Sequence, residues 1–112
     1  MSKRGQVVNR PLRKSEFTIH FASKSAGEGW QAMLATRRND VVTAWEWLTS
    51  TPLERALGNY PLKDELRWIS RGGKRHERWQ YKLGSNARIW FYVDGQIVHL
   101  EDVHTNHPNE TK

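Results

Sequence analysis

The stretch LEDVHTNHP, residues 100–108, carries Asp102, His104 and His107 in one short segment. An imidazole titrates near neutral pH, so a histidine there can take or give a proton, and a nearby carboxylate can orient or tune it. The same residue types ligate metals, and they also populate solvated chain ends. The metal reading lacks its usual signals: there is no HExxH, no third histidine at helical spacing, and no cysteine anywhere in the chain. No metal or other cofactor is therefore expected, and an acid/base role stands against a solvated tail. Upstream, Lys82 and Arg88 flank a short turn. A planar guanidinium can grip two phosphate oxygens at once, and an ammonium adds a compact second charge.

These side chains need a scaffold that brings them together. RWQYKL, residues 78–83, alternates Trp79, Tyr81 and Leu83 with Arg78, Gln80 and Lys82. RIWFYV, residues 88–93, alternates Ile89, Phe91 and Val93 with Arg88, Trp90 and Tyr92. Period two marks half-buried strands. Apolar neighbours must share a side of the sheet, so Lys82 is expected opposite Arg88 across a three-residue loop, 84–86, with a left-handed Asn86 forming a bulge. The even register would bury Lys82 against Ile89. Asp94-Gly95 predicts a second hairpin turn, and QIVHLEDV, residues 96–103, the last strand. Asp102 and His104, two apart on a strand, then share a face.

Ahead of the meander, Phe17, Ile19 and Phe21 alternate with polar positions and predict a strand, with His20 on its polar side. Trp30, Met33, Leu34 and Arg37 have the spacing of a helix over residues 26–37. A second helix is capped by Asn39 or Asp40, carries Val41, Ala44, Trp45 and Leu48 on its apolar stripe, and ends at Thr51-Pro52. Trp45 is expected in the core and Trp47 at an edge. Residues 52–76 read as irregular, with a Gly72-Gly73 loop beside an exposed basic cluster, Lys74-Arg75-His76. The expected architecture is α+β: an N-terminal strand, two helices on one face, and a three-stranded antiparallel meander whose other face is basic, aromatic and open. Residues 1–15 read as a flexible basic arm, 16–107 as the domain and 108–112 as a tail.

The chain has 112 residues, enough for one domain with one modest core, and its six tryptophans argue against disorder. Without cysteine there is no disulfide framework. No apolar run reaches the roughly 20 residues of a membrane span, and the N-terminus lacks the apolar segment of a signal peptide; the cytoplasm is the expected compartment, with no membrane partner. The net charge of +6 favours polyanionic partners, and the basic aromatic face suits nucleic acid.

Three motifs resemble the RelE/HigB/YoeB superfamily of type II toxins. Tyr60-Pro61-Leu62-Lys63-Asp64-Glu65-Leu66 is similar to its PLKG segment. Residues 79–93, with Arg88 opening the second meander strand, resemble its core, and Glu101-Asp102-Val103-His104 resembles the EDYH ending of HigB toxins. Asp64 stands where that segment has glycine and Val103 where the ending has tyrosine, and residues 67–77 look longer than usual. The resemblance spans roughly residues 16–107. It implies a small α/β fold and a ribosome-dependent endoribonuclease that cuts mRNA in the A site, without a metal, using the RNA 2′-hydroxyl. It also implies a cognate antitoxin that blocks the site, and no small-molecule ligand. ParE toxins share the fold and act on gyrase, so a non-catalytic gyrase inhibitor, or a basic nucleic-acid-binding domain, is the alternative.

On that resemblance His104 is the expected general acid or base with Asp102 tuning it, and Arg88 and Lys82 stabilise the charge that builds on phosphorus. Lys63, Lys74, Arg75, Arg78, Trp90, Tyr92 and His107 are the expected RNA contacts, with the two aromatics stacking bases.

Overall fold

A computed structural model describes Pro11, Arg13 and residues 15–105. Most of the expected arm, the tail and His107 lie outside the described residues. In chain order the elements are β1 (Thr18–Phe21), α1 (Lys24–Thr36), α2 (Arg38–Ser50), β2 (Asn59–Pro61), a 3₁₀ turn (Asp64–Arg67), β3 (Trp68–Arg71), β4 (Lys74–Glu77), β5 (Trp79–Leu83), β6 (Ala87–Asp94) and β7 (Ile97–His104). The expected strand, helix pair and meander are present. The meander is the centre of a five-stranded sheet ordered β1-β7-β6-β5-β2, in which β1 runs parallel to β7.

The alternation in β5 and β6 decides which face is buried. Leu83, Ile89 and Phe91 are at most 1 % exposed and form the core with Val98 and Leu100 of β7, Met33 of α1, and Val41, Ala44 and Leu48 of α2. Apart from Ala44, each such side chain contributes roughly 1.5–3 kcal/mol. Lys82 pairs with Arg88 across a loop of residues 84–86, the expected register. The left-handed residue in that loop is Gly84 (φ 67°) rather than Asn86, and the ladder resumes at Leu83–Ala87 without a bulge.

The bulge lies one strand further on. Trp90 pairs with Asp102 and Phe91 with Leu100, so Glu101 is the extra residue. Strict alternation from Val98 and Leu100 would turn Asp102 and His104 into the core and Val103 out of it. The extra residue reverses the phase: Val103 joins the core, and His104 lies on the opposite face beside Arg88. Ser23 ties this point down. Its hydroxyl donates to the Glu101 carbonyl at 2.8 Å and, as the N-cap of α1, accepts from the Ala26 N–H at 3.0 Å. Gly29 then lets α1 lie against the strand, because a Cβ there would overlap the Val103 carbonyl oxygen.

Three expectations about the first 76 residues are corrected. Arg37, with φ −141°, sits at the break between the helices instead of on the α1 stripe, and α2 starts there without a side-chain cap; Asp40 lies in its first turn. Trp47, not Trp45, packs against the core, because it lies on the side of α2 that faces β5, where its ring meets Tyr81 at 6.4 Å. Residues 52–76 are not irregular. They contain edge strand β2, paired with β5, and a β3–β4 hairpin. Both Gly72 (φ 58°) and Gly73 (φ 79°) are left-handed, the geometry of a tight two-residue hairpin turn. Among the described residues no helix is long and apolar enough to cross a membrane.

Candidate active site

Three expected residues arrive in one row across three strands. Lys82 on β5 pairs with Arg88 on β6, and Arg88 pairs with His104 on β7. Adjacent strands are about 4.8 Å apart, so the three side chains leave the same face of the sheet as neighbours. Asp102 lies in the next row, opposite Trp90. Lys82 is exposed, and its ammonium stands 5.7 Å from the centre of the Tyr60 ring. Arg88 is only 6 % exposed; its Nη1 donates to the Ser85 and Ala87 carbonyls at 3.1 and 2.9 Å, while its buried Nε has no hydrogen-bond partner.

A hydrogen-bonded chain fixes the floor beside this row. The Trp90 and His104 rings form a T-shaped pair with their centres 4.6 Å apart, and Trp90 Nε1 donates to Gln80 Oε1 at 2.8 Å. Gln80 Nε2 in turn donates to the Tyr60 hydroxyl at 3.0 Å. Tyr60 and Gln80 continue into a cleft that Arg55, Lys63 and Arg67 also line. The cleft brings cations beside the row from a segment that sequence periodicity leaves unassigned.

The face is not open. Gln80, Arg88, Trp90 and Tyr92 are all buried. Much of the cover comes from the β3–β4 hairpin, which lies over β6. Arg71 donates to the Glu101 carboxylate at 2.9 Å, Lys74 approaches Asp94 at 4.0 Å, and His76 stacks on Tyr92 at 4.6 Å. Tyr92 also stacks on His99 at 4.6 Å, and His99 meets His20 edge-on. Burial, and after it the Glu101 charge, push the Tyr92 hydroxyl up from its ordinary pKa; burial and then His20 hold His99 below its own. Trp90 and Tyr92 therefore pack inside the domain instead of offering open rings. Arg78 is likewise engaged, donating to the Leu66 carbonyl at 2.8 Å with its guanidinium 5.1 Å from the Trp90 ring centre. Lys63 and Arg75 remain exposed. Among the described residues no group of three or more histidine, aspartate or glutamate side chains is placed to hold a metal ion.

No family model and no curated protein sequence matches the chain. Among solved structures, a YoeB dimer from Staphylococcus aureus matches with a TM-score of 0.59 at 18% identity, over 81% of this chain and 98% of that one. A YoeB–YefM complex from the same organism matches with a TM-score of 0.57 at 16% identity, over the same shares. The chain has the YoeB fold.

On this YoeB fold the segment Pro61–Arg67 carries one further mark. Asp64 has φ 54°, the only left-handed residue other than glycine among the described residues. The sequence resemblance puts a glycine at this position, and a left-handed backbone is the geometry that suits one. A left-handed residue with a Cβ costs roughly 1–2 kcal/mol, less for aspartate than for most. Asp64→Gly is therefore expected to stabilise the protein by about 0.5–1 kcal/mol, after the extra chain entropy of glycine is offset. A urea midpoint above wild type checks this, and one below it contradicts it.

Sequence reasoning missed Tyr60, Arg55 and Arg67 as site residues. Tyr60 had a usable signal, since a short segment ending in proline is compatible with an edge strand. Arg55 and Arg67 belong to the loop and 3₁₀ turn that flank β2, and only the chain path brings them to the cleft.

Proposed function

We propose that the chain is the toxin of a type II toxin–antitoxin pair and cuts mRNA on the ribosome. The observation that supports this reading most is the Lys82–Arg88–His104 row on a YoeB fold. In the reaction the RNA 2′-oxygen attacks the adjacent phosphorus and the bond to the 5′-oxygen breaks. The products are a 2′,3′-cyclic phosphate and a 5′-hydroxyl. The 2′ proton must leave and the 5′-oxygen must gain one. His104 is suited to one of these transfers, each of which contributes roughly 10²–10⁴-fold when the group is well positioned. Lys82 and Arg88 supply positive charge to the phosphorane, in a floor dried by Trp90 and Gln80. Asp102, one row away, tunes the local field. Lys63, with Arg55 and Arg67, holds flanking phosphates in the cleft, and Arg75 extends the positive surface onto the hairpin.

A protein antitoxin is the expected partner, since one of the matching YoeB structures is a complex with YefM. Inducible expression in a bacterium, followed by primer extension on abundant mRNAs, tests the reading. New cuts at codon positions that disappear in His104→Gln are the expected result. Growth arrest without cuts would transfer the reading to a non-catalytic toxin, such as a gyrase inhibitor.

A further inference from the structure

The β3–β4 hairpin has two unlike faces. Pairing of Ile69 with His76 and of Arg71 with Lys74 places these four on one side. That side is anchored: His76 stacks on Tyr92, Arg71 binds Glu101 and Lys74 approaches Asp94. The other side carries Trp68, Ser70, Arg75 and Glu77. Nothing in the anchoring uses Trp68, which is 42 % exposed. The Arg75 guanidinium stands 4.2 Å from the centre of its ring and Arg67 stands 5.5 Å away. Among the described residues Arg75 makes no ion pair. The one acid on this face, Glu77, is already held by Arg67 at 2.6 Å and accepts from Trp79 Nε1.

Arg67 belongs both to this platform and to the wall of the cleft. The cleft wall, which carries Arg55, Lys63 and Arg67 together with Asp64 and Glu65, therefore leads on to Trp68 and Arg75. We infer that the outer face of the hairpin is a stacking subsite for single-stranded RNA, which receives a base on Trp68 and a phosphate on Arg75 as the strand leaves the cleft. This rests on the RNA-cutting reading above and adds a contact outside the reacting row. A planar aromatic beside guanidiniums is the sequence-tolerant grip that single strands need, because every base has a face to stack. An acidic peptide would use the arginines but has no group that needs an exposed indole.

The test is fluorescence anisotropy of the full chain with a labelled, uncleavable 2′-O-methyl RNA of about ten nucleotides. Trp68→Ala is expected to weaken binding about 10-fold and Trp68→Phe to restore most of it. Arg75→Ala is expected to weaken binding and to lower the slope of log affinity against log salt by about 1. Circular dichroism of each variant checks that the hairpin's anchor and the fold survive. If wild type binds the RNA and all three variants bind it equally, the subsite is overturned while the cleft reading stands. The subsite is equally overturned if Trp68→Ala spares RNA and weakens only an acidic peptide. If wild type neither binds the RNA nor cuts mRNA, the functional reading fails and the subsite with it.

Discussion

Gly29→Ala is expected to cost the protein about 3 kcal/mol, read as a lower urea midpoint, while Gly27→Ala, two residues earlier in the same helix, is expected to gain roughly 0.5–1 kcal/mol. The opposite signs follow from what each new methyl would meet. At Gly27 the nearest atoms belong to the Phe21 ring at 3.6–3.9 Å, an ordinary contact, so the gain in helix propensity dominates. At Gly29 the methyl would overlap the Val103 carbonyl oxygen and stand 2.9 Å from Val103 Cβ. A backbone carbonyl in the sheet cannot swing aside like a flexible side chain, so α1 must lift off β7. Val103 directly precedes His104, so Gly29→Ala is also expected to disturb the row. A Gly29→Ala protein as stable as wild type would show that α1 is not seated against β7 as described.

The second large effect concerns the row itself. His104→Gln is expected to lower the single-turnover rate of mRNA cleavage by roughly 10²–10⁴-fold, with the amide keeping the size of the ring's polar edge but unable to exchange a proton near neutral pH. Arg88→Lys keeps a charge but loses the planar guanidinium, and a rate lower by about 10²-fold is expected because the ammonium cannot hold the positive charge at the same place in the row. Arg88 also donates to the Ser85 and Ala87 carbonyls, so this variant should lose about 1–2 kcal/mol of stability as well. Measuring KM and kcat separately distinguishes the roles: a contact made in the transition state lowers kcat and leaves KM nearly unchanged. Cleavage by both variants at the wild-type rate would remove the row from the mechanism.

Much of this was legible in the sequence, and the reasons are physical. Strict alternation over residues 78–83 and 88–93 left one acceptable register, and Lys82 opposite Arg88 followed from keeping Lys82 away from Ile89. Alternation alone could not place His104 on the correct face. The signal was a change of parity, with Val98 and Leu100 at even positions and Val103 at an odd one, which only an extra residue in the strand reconciles. The hairpin at Gly72-Gly73 had a signal too, because two left-handed glycines between short polar-rich runs form a tight turn. Its strands, WISR and KRHE, lack an apolar face of their own and draw stability from docking onto Tyr92 and Glu101, which no local pattern reveals. For the same reason the polar face looked open. Arg88, Trp90 and Tyr92 have the pattern of an exposed side but are buried, and for Tyr92 the cover is the hairpin, whose His76 stacks on it.

The central claim is that this sheet face directs an RNA 2′-hydroxyl onto its own phosphorus. The most direct measurement uses ribosomes programmed with an mRNA carrying a single 2′-deoxynucleotide on the 5′ side of the bond that is cut. Wild-type protein is expected to cut the all-ribose message, leaving a 2′,3′-cyclic phosphate, and to leave the deoxy-substituted bond intact. Cleavage of both messages at equal rates, or of neither, would contradict the account.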